Sequence, residues 1–285
     1  MSPETALAIE RFLNDTSLTF IWGGGGMTWV AIGASRAHLS TSMRIPLKFA
    51  SVMASCSAIL ALPIHTALIE GDWTAIDKGH VLAAVLTSTN VGKYALLHAI
   101  VCLTMAAVSF LGCERAAVVL SGLAIVSLAA TGHASQSPAH MVVDAVHALS
   151  ACAWVGALMP FAFLLRMSAD PGRARDSIAS MRRFSLLGHA AVAFTLISGL
   201  ANTILTLGGL PANPTSPYQF ELIVKVCAVF SMTGIAMVNR YLFVPRLRAD
   251  PISSRYWLVI GTSAEVVLGL FAIAMVASFG LQDPF

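Results

Sequence analysis

Residues 132–157 read GHASQSPAHMVVDAVHALSACAWVGA, and this stretch decides how the rest of the chain is interpreted. A short polar segment containing His133 leads into an apolar run that has the composition of a buried helix. At a helical spacing, side chains at steps of four, three, four, three and four fall within ~80° of one another on one face. Those side chains are His140, Asp144, His147, Ala151, Trp154 and Leu158. Two imidazoles and a carboxylate therefore lie on consecutive turns of one helix face.

The composition of the whole chain places this helix in a membrane. Hydrophobic residues make up 57% of the 285 residues and charged residues only 11%, and the mean hydropathy is +0.78. Soluble domains carry about 25% charged residues. We therefore expect a polytopic, all-α membrane protein that forms a single transmembrane domain over residues 1–285. Ionisable side chains inside such a protein are costly to bury and point to function.

Apolar runs of about 20 residues, the length that crosses a bilayer as a helix, recur along the chain. We count eight, and the all-helical fold class rests on them. The predicted spans are about 17–35, 47–69, 93–112, 115–132, 140–165, 185–207, 219–243 and 257–280. The long connection at 70–92 has an apolar middle and predicts an interfacial or re-entrant helix.

Lysine and arginine residues are distributed unevenly between the two sets of connections, and this predicts the orientation. Thirteen of the 17 basic residues fall on one set, which we assign to the cytoplasm. These are Arg36, Arg44, Lys48, Arg115, Arg166, Arg173, Arg175, Arg182, Arg183, Arg240, Arg246, Arg248 and Arg255. The polar first 15 residues do not resemble a cleavable signal peptide. Both termini are therefore expected on the periplasmic side.

Six of the eight histidines fall in the outer half of this topology or outside it. They are His65, His80, His98, His133, His140 and His147. Neutral imidazole is a common ligand of copper and zinc, and a carboxylate such as Asp144 either ligates or orients a ligand. We therefore interpret His133, His140, Asp144 and His147 as a metal or proton site, with His65 and His98 as candidate partners. Hydrogen bonding between helices is the simpler alternative for each single histidine.

Cysteines and methionines add little to this interpretation. The five cysteines are an odd number without a CxxC motif, so we expect free thiols that pack as small hydrophobic side chains. On the third span His98, Cys102 and Met105 share one inward face. Core packing is the alternative to a ligand role for this stripe.

Two further charged residues lie within predicted spans. Glu265 is near the middle of the eighth span, and Lys225 is about two turns inside the seventh. A carboxylate at that depth must be paired or protonated. Lys225 either reaches the interface or approaches Glu265 or Asp144. Charge coupling is the functional interpretation of both residues, and a structural ion pair is the alternative.

Several function classes are disfavoured by motifs that the sequence lacks. It contains no GxxxxGK[ST] P-loop, no intramembrane cysteine pair typical of metal-pumping ATPases, and no combination of residues that predicts an enzyme. Transport, if it occurs, would be driven by a gradient or by a delivering partner.

The order and spacing of several segments resemble the copper resistance protein D (CopD/PcoD) family. The segments are TGHAS at 131–135, DAVHALSACAWVGAL at 144–158, the run at 182–208, the run ELIVKVCAVFSMTGIAMVNRYLFVPRL at 221–247 and the glutamate of the last span. The resemblance covers about 130–270, is strongest over 184–270, and is looser in the N-terminal half, where STNVGKYALLH supports it.

This resemblance implies an inner-membrane protein that handles copper together with a separate periplasmic copper-binding partner of the CopC type. His133 matches a GHA motif, and Lys225 matches a motif that ends in Asn239-Arg240. A second motif, D-x-x-H…W-x-G, is matched by Asp144, His147, Trp154 and Gly156. The chain departs from the family at Tyr218-Gln219, where Tyr-Gly is frequent.

The sequence thus favours a protein that accepts copper at its periplasmic face and transports it across the membrane, contributing to copper resistance. Two alternatives stay open at this point. A b-type haem redox protein would use His65 and His98 as axial ligands. A copper-delivery assembly factor would bind copper without translocating it.

Overall fold

A computed structural model of the chain describes residues 1–130, 137–247, 249–280 and 282, and every regular element in these ranges is helical. The α-helices are α1 Pro3–Thr19, α2 Gly26–Val30, α3 Gly33–Glu70, α4 Gly79–Ser88, α5 Asn90–Phe110, α6 Glu114–Leu128, α7 Pro138–Gly156, α8 Leu158–Met167, α9 Pro171–Leu207, α10 Pro217–Val238, α11 Val244–Arg246 and α12 Pro251–Phe279. Wider π-helical turns join α1 to α2 (Phe20–Gly25) and α10 to α11 (Asn239–Phe243), and a 3₁₀ turn spans Trp73–Asp77.

Six helical segments within the described residues are long and apolar enough to cross a bilayer. They are Gly33–Glu70, Asn90–Phe110, Pro138–Met167, Pro171–Leu207, Pro217–Arg246 and Pro251–Phe279. All six coincide with predicted spans, which confirms a polytopic, all-helical membrane protein.

The other two predicted spans, 17–35 and 115–132, differ from this pattern. The first falls on the end of α1, a π-helical turn and α2, and the helical backbone is interrupted at residues 31 and 32. The second falls on α6, which has 15 residues and extends only ~22 Å. Neither reaches the length and apolar composition of the six, so the total of eight spans stays a prediction.

Two helices extend well beyond the apolar runs that predicted them. The α3 helix begins at Gly33 rather than at about residue 47, and α9 begins at Pro171 rather than at about residue 185. The first extension carries two arginines and the second carries four, so a hydropathy criterion detects only the apolar part of each helix. In α9 the Asp170 side chain accepts a hydrogen bond from Gly172 N at 2.9 Å and caps the start of the helix.

The arginine-rich connections meet at one end of the helical bundle, which we call the basic end. Ile32 N donates a 3.1 Å hydrogen bond to Ser180 Oγ, and Arg44 Nε lies 3.9 Å from Glu114 Oε1. These contacts bring the N-terminal parts of α3, α6 and α9 together. The sequence predicted that the arginine-rich connections lie on the same side of the membrane, and the structure brings them to the same end of the bundle.

The opposite end, the non-basic end, contains residue 1 and the end of α12. Trp73 Nε1 donates a 3.0 Å hydrogen bond to the carbonyl of Met1, and the rings of Tyr218 and Phe279 form an edge-to-face pair at 5.2 Å. The connection at 70–92 lies at this end and contains the short apolar helix α4, as the sequence predicts. The assignment of this end to the periplasm stays a prediction.

Close backbone contact joins the N-terminal helices to α7. A Cβ on Gly23 would lie 2.5 Å from the carbonyl oxygen of Cys152, and a Cβ on Gly156 would overlap the carbonyl oxygen of Thr19. Trp22 Nε1 also donates a 3.0 Å hydrogen bond to Leu149 O. Glycine at both positions lets the helices approach until their backbones touch, as in other membrane helix pairs. This crossing fixes α7, which carries the predicted site, against the first helix.

Candidate functional site

The helix that carries most of the predicted site begins in the polar segment before it. Ser137 is the N-cap of α7, and its Oγ accepts a hydrogen bond from His140 N at 3.1 Å. Pro138 occupies the first turn, where its missing N–H has no cost. The His140 residue is buried. His133, which the sequence placed in the same site, lies outside the described residues.

Asp144 is held by an amide from the neighbouring helix α9. Asn202 Nδ2 donates a 2.8 Å hydrogen bond to Asp144 Oδ1. The other amide atom, Asn202 Oδ1, is buried without a hydrogen-bond partner among the described residues. This hydrogen bond orients the carboxylate of Asp144.

His147 is anchored to α9 through one ring nitrogen. Its Nδ1 lies 3.1 Å from the carbonyl oxygen of Thr195 and 3.2 Å from Ser198 Oγ. A carbonyl oxygen only accepts, so Nδ1 carries the proton and Nε2 of the neutral ring carries the free lone pair. Gly199 leaves room for the ring, because a Cβ there would lie 3.0 Å from His147 Cε1. This arrangement presents Nε2 as a metal ligand would be presented.

Lys225 lies on the Asp144 side of the bundle. Its Nζ sits 5.7 Å from the centre of the Phe279 ring and within electrostatic range of Asp144. Of the two acidic partners that the sequence left open, the structure therefore favours Asp144. Glu265 is occupied elsewhere, since its Oε1 accepts a 2.7 Å hydrogen bond from Asn239 Nδ2.

His98 belongs to a different set of polar side chains, at the packing of α5 with α1, α3 and α6. Its Nδ1 lies 2.9 Å from Ser127 Oγ, and its Nε2 lies 3.1 Å from Asn14 Oδ1 and 3.6 Å from Cys102 Sγ. Both ring nitrogens are thus engaged. Haem ligation through His98 would break at least one of these bonds, so the structure gives that alternative no support.

The remaining histidines are separate from both sets. His65 is half-buried on α3 and lies within electrostatic range of Arg11, whereas His80 is exposed. In the part of the chain that the structure describes, no three His, Cys, Asp or Glu side chains gather as metal ligands. The convergence of His65, His98, His133, His140, Asp144 and His147 on one ion therefore stays a prediction.

Asn14 is one of the polar residues of these sets that the sequence analysis did not identify. It lies in the polar first 15 residues, which we expected outside the membrane, but it is buried in α1 beside α3. A helical spacing shows it in retrospect, because the buried residues Glu10, Asn14 and Leu18 recur every four residues.

Comparison with known proteins decides the family. The N-terminal domain of copper resistance protein D-like proteins matches residues 1–141, and copper resistance protein D matches residues 178–279. The chain belongs to the copper resistance protein D family. It is accordingly a multi-pass protein of the inner membrane with a role in copper resistance. The two matches cover both halves of the chain, including the N-terminal part where the sequence resemblance was loose.

Two curated relatives show how far the similarity extends. Inner membrane protein YebZ of Escherichia coli (strain K12) is 28% identical over 283 residues, which is 96% of this chain and 97% of that protein. Copper resistance protein D of Pseudomonas syringae pv. tomato is 29% identical over 171 residues, 54% of this chain and 55% of that protein. No solved structure matches the chain.

Proposed function

We propose that this protein accepts copper at its periplasmic face and moves it across the inner membrane. Family membership supports copper as the cargo, and one observation supports this position for the site. His147 Nε2 carries a free lone pair one helical turn from the oriented carboxylate of Asp144, on a helix that begins at the non-basic end. Nitrogen and carboxylate donors on adjacent turns can both reach one ion.

The ligand set would be completed by the two histidines that precede Asp144. His140 lies one turn before it on the same face of α7, and His133 lies in the polar segment before the helix. Copper would be the cargo at this position, supplied by a periplasmic partner of the CopC type. The protein itself acts as a carrier and not as an enzyme in this proposal.

We assign charge coupling to Lys225 near the site and to Glu265 deeper in the bundle. Copper brings positive charge to a region of low dielectric, where an unpaired charge is costly. Lys225 lies within range of Asp144, so binding of the cation at Asp144 would weaken the attraction between them. Movement of Lys225 away from the site would then accompany copper binding.

Copper titration of the purified protein tests the site. We expect the double substitution His133→Ala/His147→Ala to weaken copper affinity by at least about tenfold, that is by about 1.4 kcal/mol. The matched control is His38→Ala/His189→Ala, which removes two exposed histidines from helices that begin at the basic end. An unchanged stoichiometry and affinity in the first double variant would show that the site is elsewhere.

Copper uptake into sealed proteoliposomes tests movement separately from binding. A carrier loads the vesicle interior in proportion to time, and the His133→Ala/His147→Ala variant does so more slowly than the control variant. Copper that binds the protein without entering the vesicles would favour the assembly-factor alternative. A Soret band in the visible spectrum of the purified protein would instead favour haem.

A further inference from the structure

We propose that His98 and Cys102 form a second copper site, specific for Cu(I), in the N-terminal half of the molecule. The identity of the cargo rests on the proposed function, but the site is distinct from the one on α7. His98 Nε2 and Cys102 Sγ lie 3.6 Å apart on consecutive turns of α5. A nitrogen and a sulfur atom at this separation can share one ion with little movement, and thiolate sulfur is a donor that Cu(I) prefers.

The pair is buried among side chains of neighbouring helices. Cys102 is fully buried, and His98 and Asn14 are 6% and 2% exposed. Asn14 Nδ2 donates to Ala54 O at 3.1 Å and to Ser57 Oγ at 3.0 Å, so its amide orientation is fixed and Oδ1 faces His98. Copper in this position would be screened from water and from exchange with other ligands.

The hydrogen bonds around His98 allow it to exist in two neutral forms. Asn14 Oδ1 only accepts, so without metal Nε2 carries the proton and Nδ1 accepts from Ser127 O–H. The Ser127 hydroxyl has one hydrogen, and the carbonyl oxygen of Ala124, 2.7 Å from Oγ, is its alternative acceptor. If the proton moves to Nδ1, the ring donates to Ser127 Oγ and the Ser127 hydroxyl donates to Ala124 O.

This second form frees the Nε2 lone pair for copper while both ring nitrogens stay partnered. The Nδ1–H bond to Ser127 would orient the ring, as the partner of a metal-bound histidine usually does. In this form Asn14 Oδ1 no longer accepts a hydrogen bond from His98 Nε2. The hydrogen-bond partners needed by the metal-bound ring are thus already in place at Ser127 and Ala124.

Charge balance favours Cu(I) over a divalent ion at this depth. Binding would form a Cu–S bond and break the S–H bond of Cys102, so that Cu⁺ enters and one proton leaves to solvent. The copper keeps its oxidation state, and the Cu⁺–thiolate unit carries no net charge. A neutral unit avoids most of the cost of placing an ion in a low-dielectric interior.

Met105 extends the same face toward the basic end. It is fully buried, and at 100° per residue it lies within ~60° of His98 and Cys102 around α5. Imidazole, thiol and thioether donors therefore follow one another at successive depths, with His98 about 12 Å from the start of the helix at Asn90. Met105 is a candidate third ligand at this site.

Cu(I) titration against a chelating indicator, together with X-ray absorption of the loaded protein, tests the proposal. We expect the X-ray absorption spectrum of the wild-type protein to show a sulfur ligand of copper. The Cys102→Ser variant should bind one equivalent of Cu(I) less and should lack that sulfur signal. The matched control is Cys152→Ser. Cys152 is a half-buried cysteine of α7, and its Sγ accepts a 3.1 Å hydrogen bond from Thr19 Oγ1. His98→Gln should also lose one equivalent.

The variants separate this proposal from the one on α7. Loss of copper in Cys102→Ser with no change in the His133→Ala/His147→Ala variant supports the second site and contradicts the first. The reverse pattern overturns the second site and leaves the first intact. If Cys102→Ser binds as much Cu(I) as wild type, with the same absorption spectrum, His98 and Asn14 form a structural hydrogen-bond network and nothing more.

Discussion

Asn239 Nδ2 donates a 2.7 Å hydrogen bond to Glu265 Oε1, and the two residues are 7% and 4% exposed. Gly261 makes this approach possible, because a Cβ there would overlap the amide of Asn239. Asn239 is also the first residue of a π-helical turn, a distortion that is frequent at functional positions. The carboxyl group deepest in the C-terminal half is thus partnered by a neutral amide rather than by Lys225.

Removing the amide partner should destabilise the protein. We expect Asn239→Ala to lower the free energy of unfolding by about 1–3 kcal/mol, because it leaves a buried carboxyl oxygen without its donor. Reversible denaturation with SDS in mixed micelles measures this change. In a double-mutant cycle with Glu265→Ala, the two losses should not add, and additive losses would show that the two residues are energetically independent.

The backbone contact between the first helix and α7 should tolerate no side chain. We expect Gly156→Ala to cost about 1–3 kcal/mol of stability, since the new methyl group overlaps the carbonyl oxygen of Thr19. Thermal inactivation followed by size-exclusion chromatography measures the effect.

The control for this substitution is Gly234→Ala in α10, where a new Cβ would meet no heavy atom within 4 Å. Helix propensity favours alanine over glycine by about 1 kcal/mol, so this variant should be as stable as wild type or more so. Equal stability of Gly156→Ala and Gly234→Ala would mean that the helices separate without cost.

Asn202 should act on copper through Asp144. Asn202→Ala removes the 2.8 Å hydrogen bond that orients the carboxylate, and we expect copper affinity to fall by roughly 10-fold to 100-fold, as is usual for partners of metal ligands. Calorimetric titration measures the affinity. Thr203→Val is the neighbouring control, because among the described residues Thr203 Oγ1 donates to Gly199 O in its own helix and not to Asp144. Equal affinities of the two variants would show that the hydrogen bond from Asn202 does not contribute to copper binding.

Sidedness can be read from the labelling of single cysteines in intact cells. Cys113 is exposed in the connection between α5 and α6 at the basic end, and Ala212 is exposed at the non-basic end. In a variant that retains Cys113 alone, an impermeant maleimide should react only after the membrane is opened. Ala212→Cys in a cysteine-free protein should react from outside. The opposite result would invert the predicted orientation.

The sequence by itself determined the helical nature of the chain and which side chains share a face of one helix. The 3.6-residue period places His140, Asp144 and His147 together on α7 whatever the neighbouring helices are. The length of the apolar runs identified the six longest spans. The positions of the arginines predicted which connections meet at the basic end. These properties depend on residues close together in the chain, so a linear pattern records them.

Only the tertiary structure decided which faces meet. The pairing of Asn202 with Asp144, of Asn14 with His98 and of Asn239 with Glu265 joins residues 26 to 84 positions apart. Such pairs depend on where glycines permit close approach and on how side chains pack between helices, and the period of a single helix contains neither. For the same reason the sequence could not show that His98 faces Asn14 and Ser127 while His147 is anchored to α9.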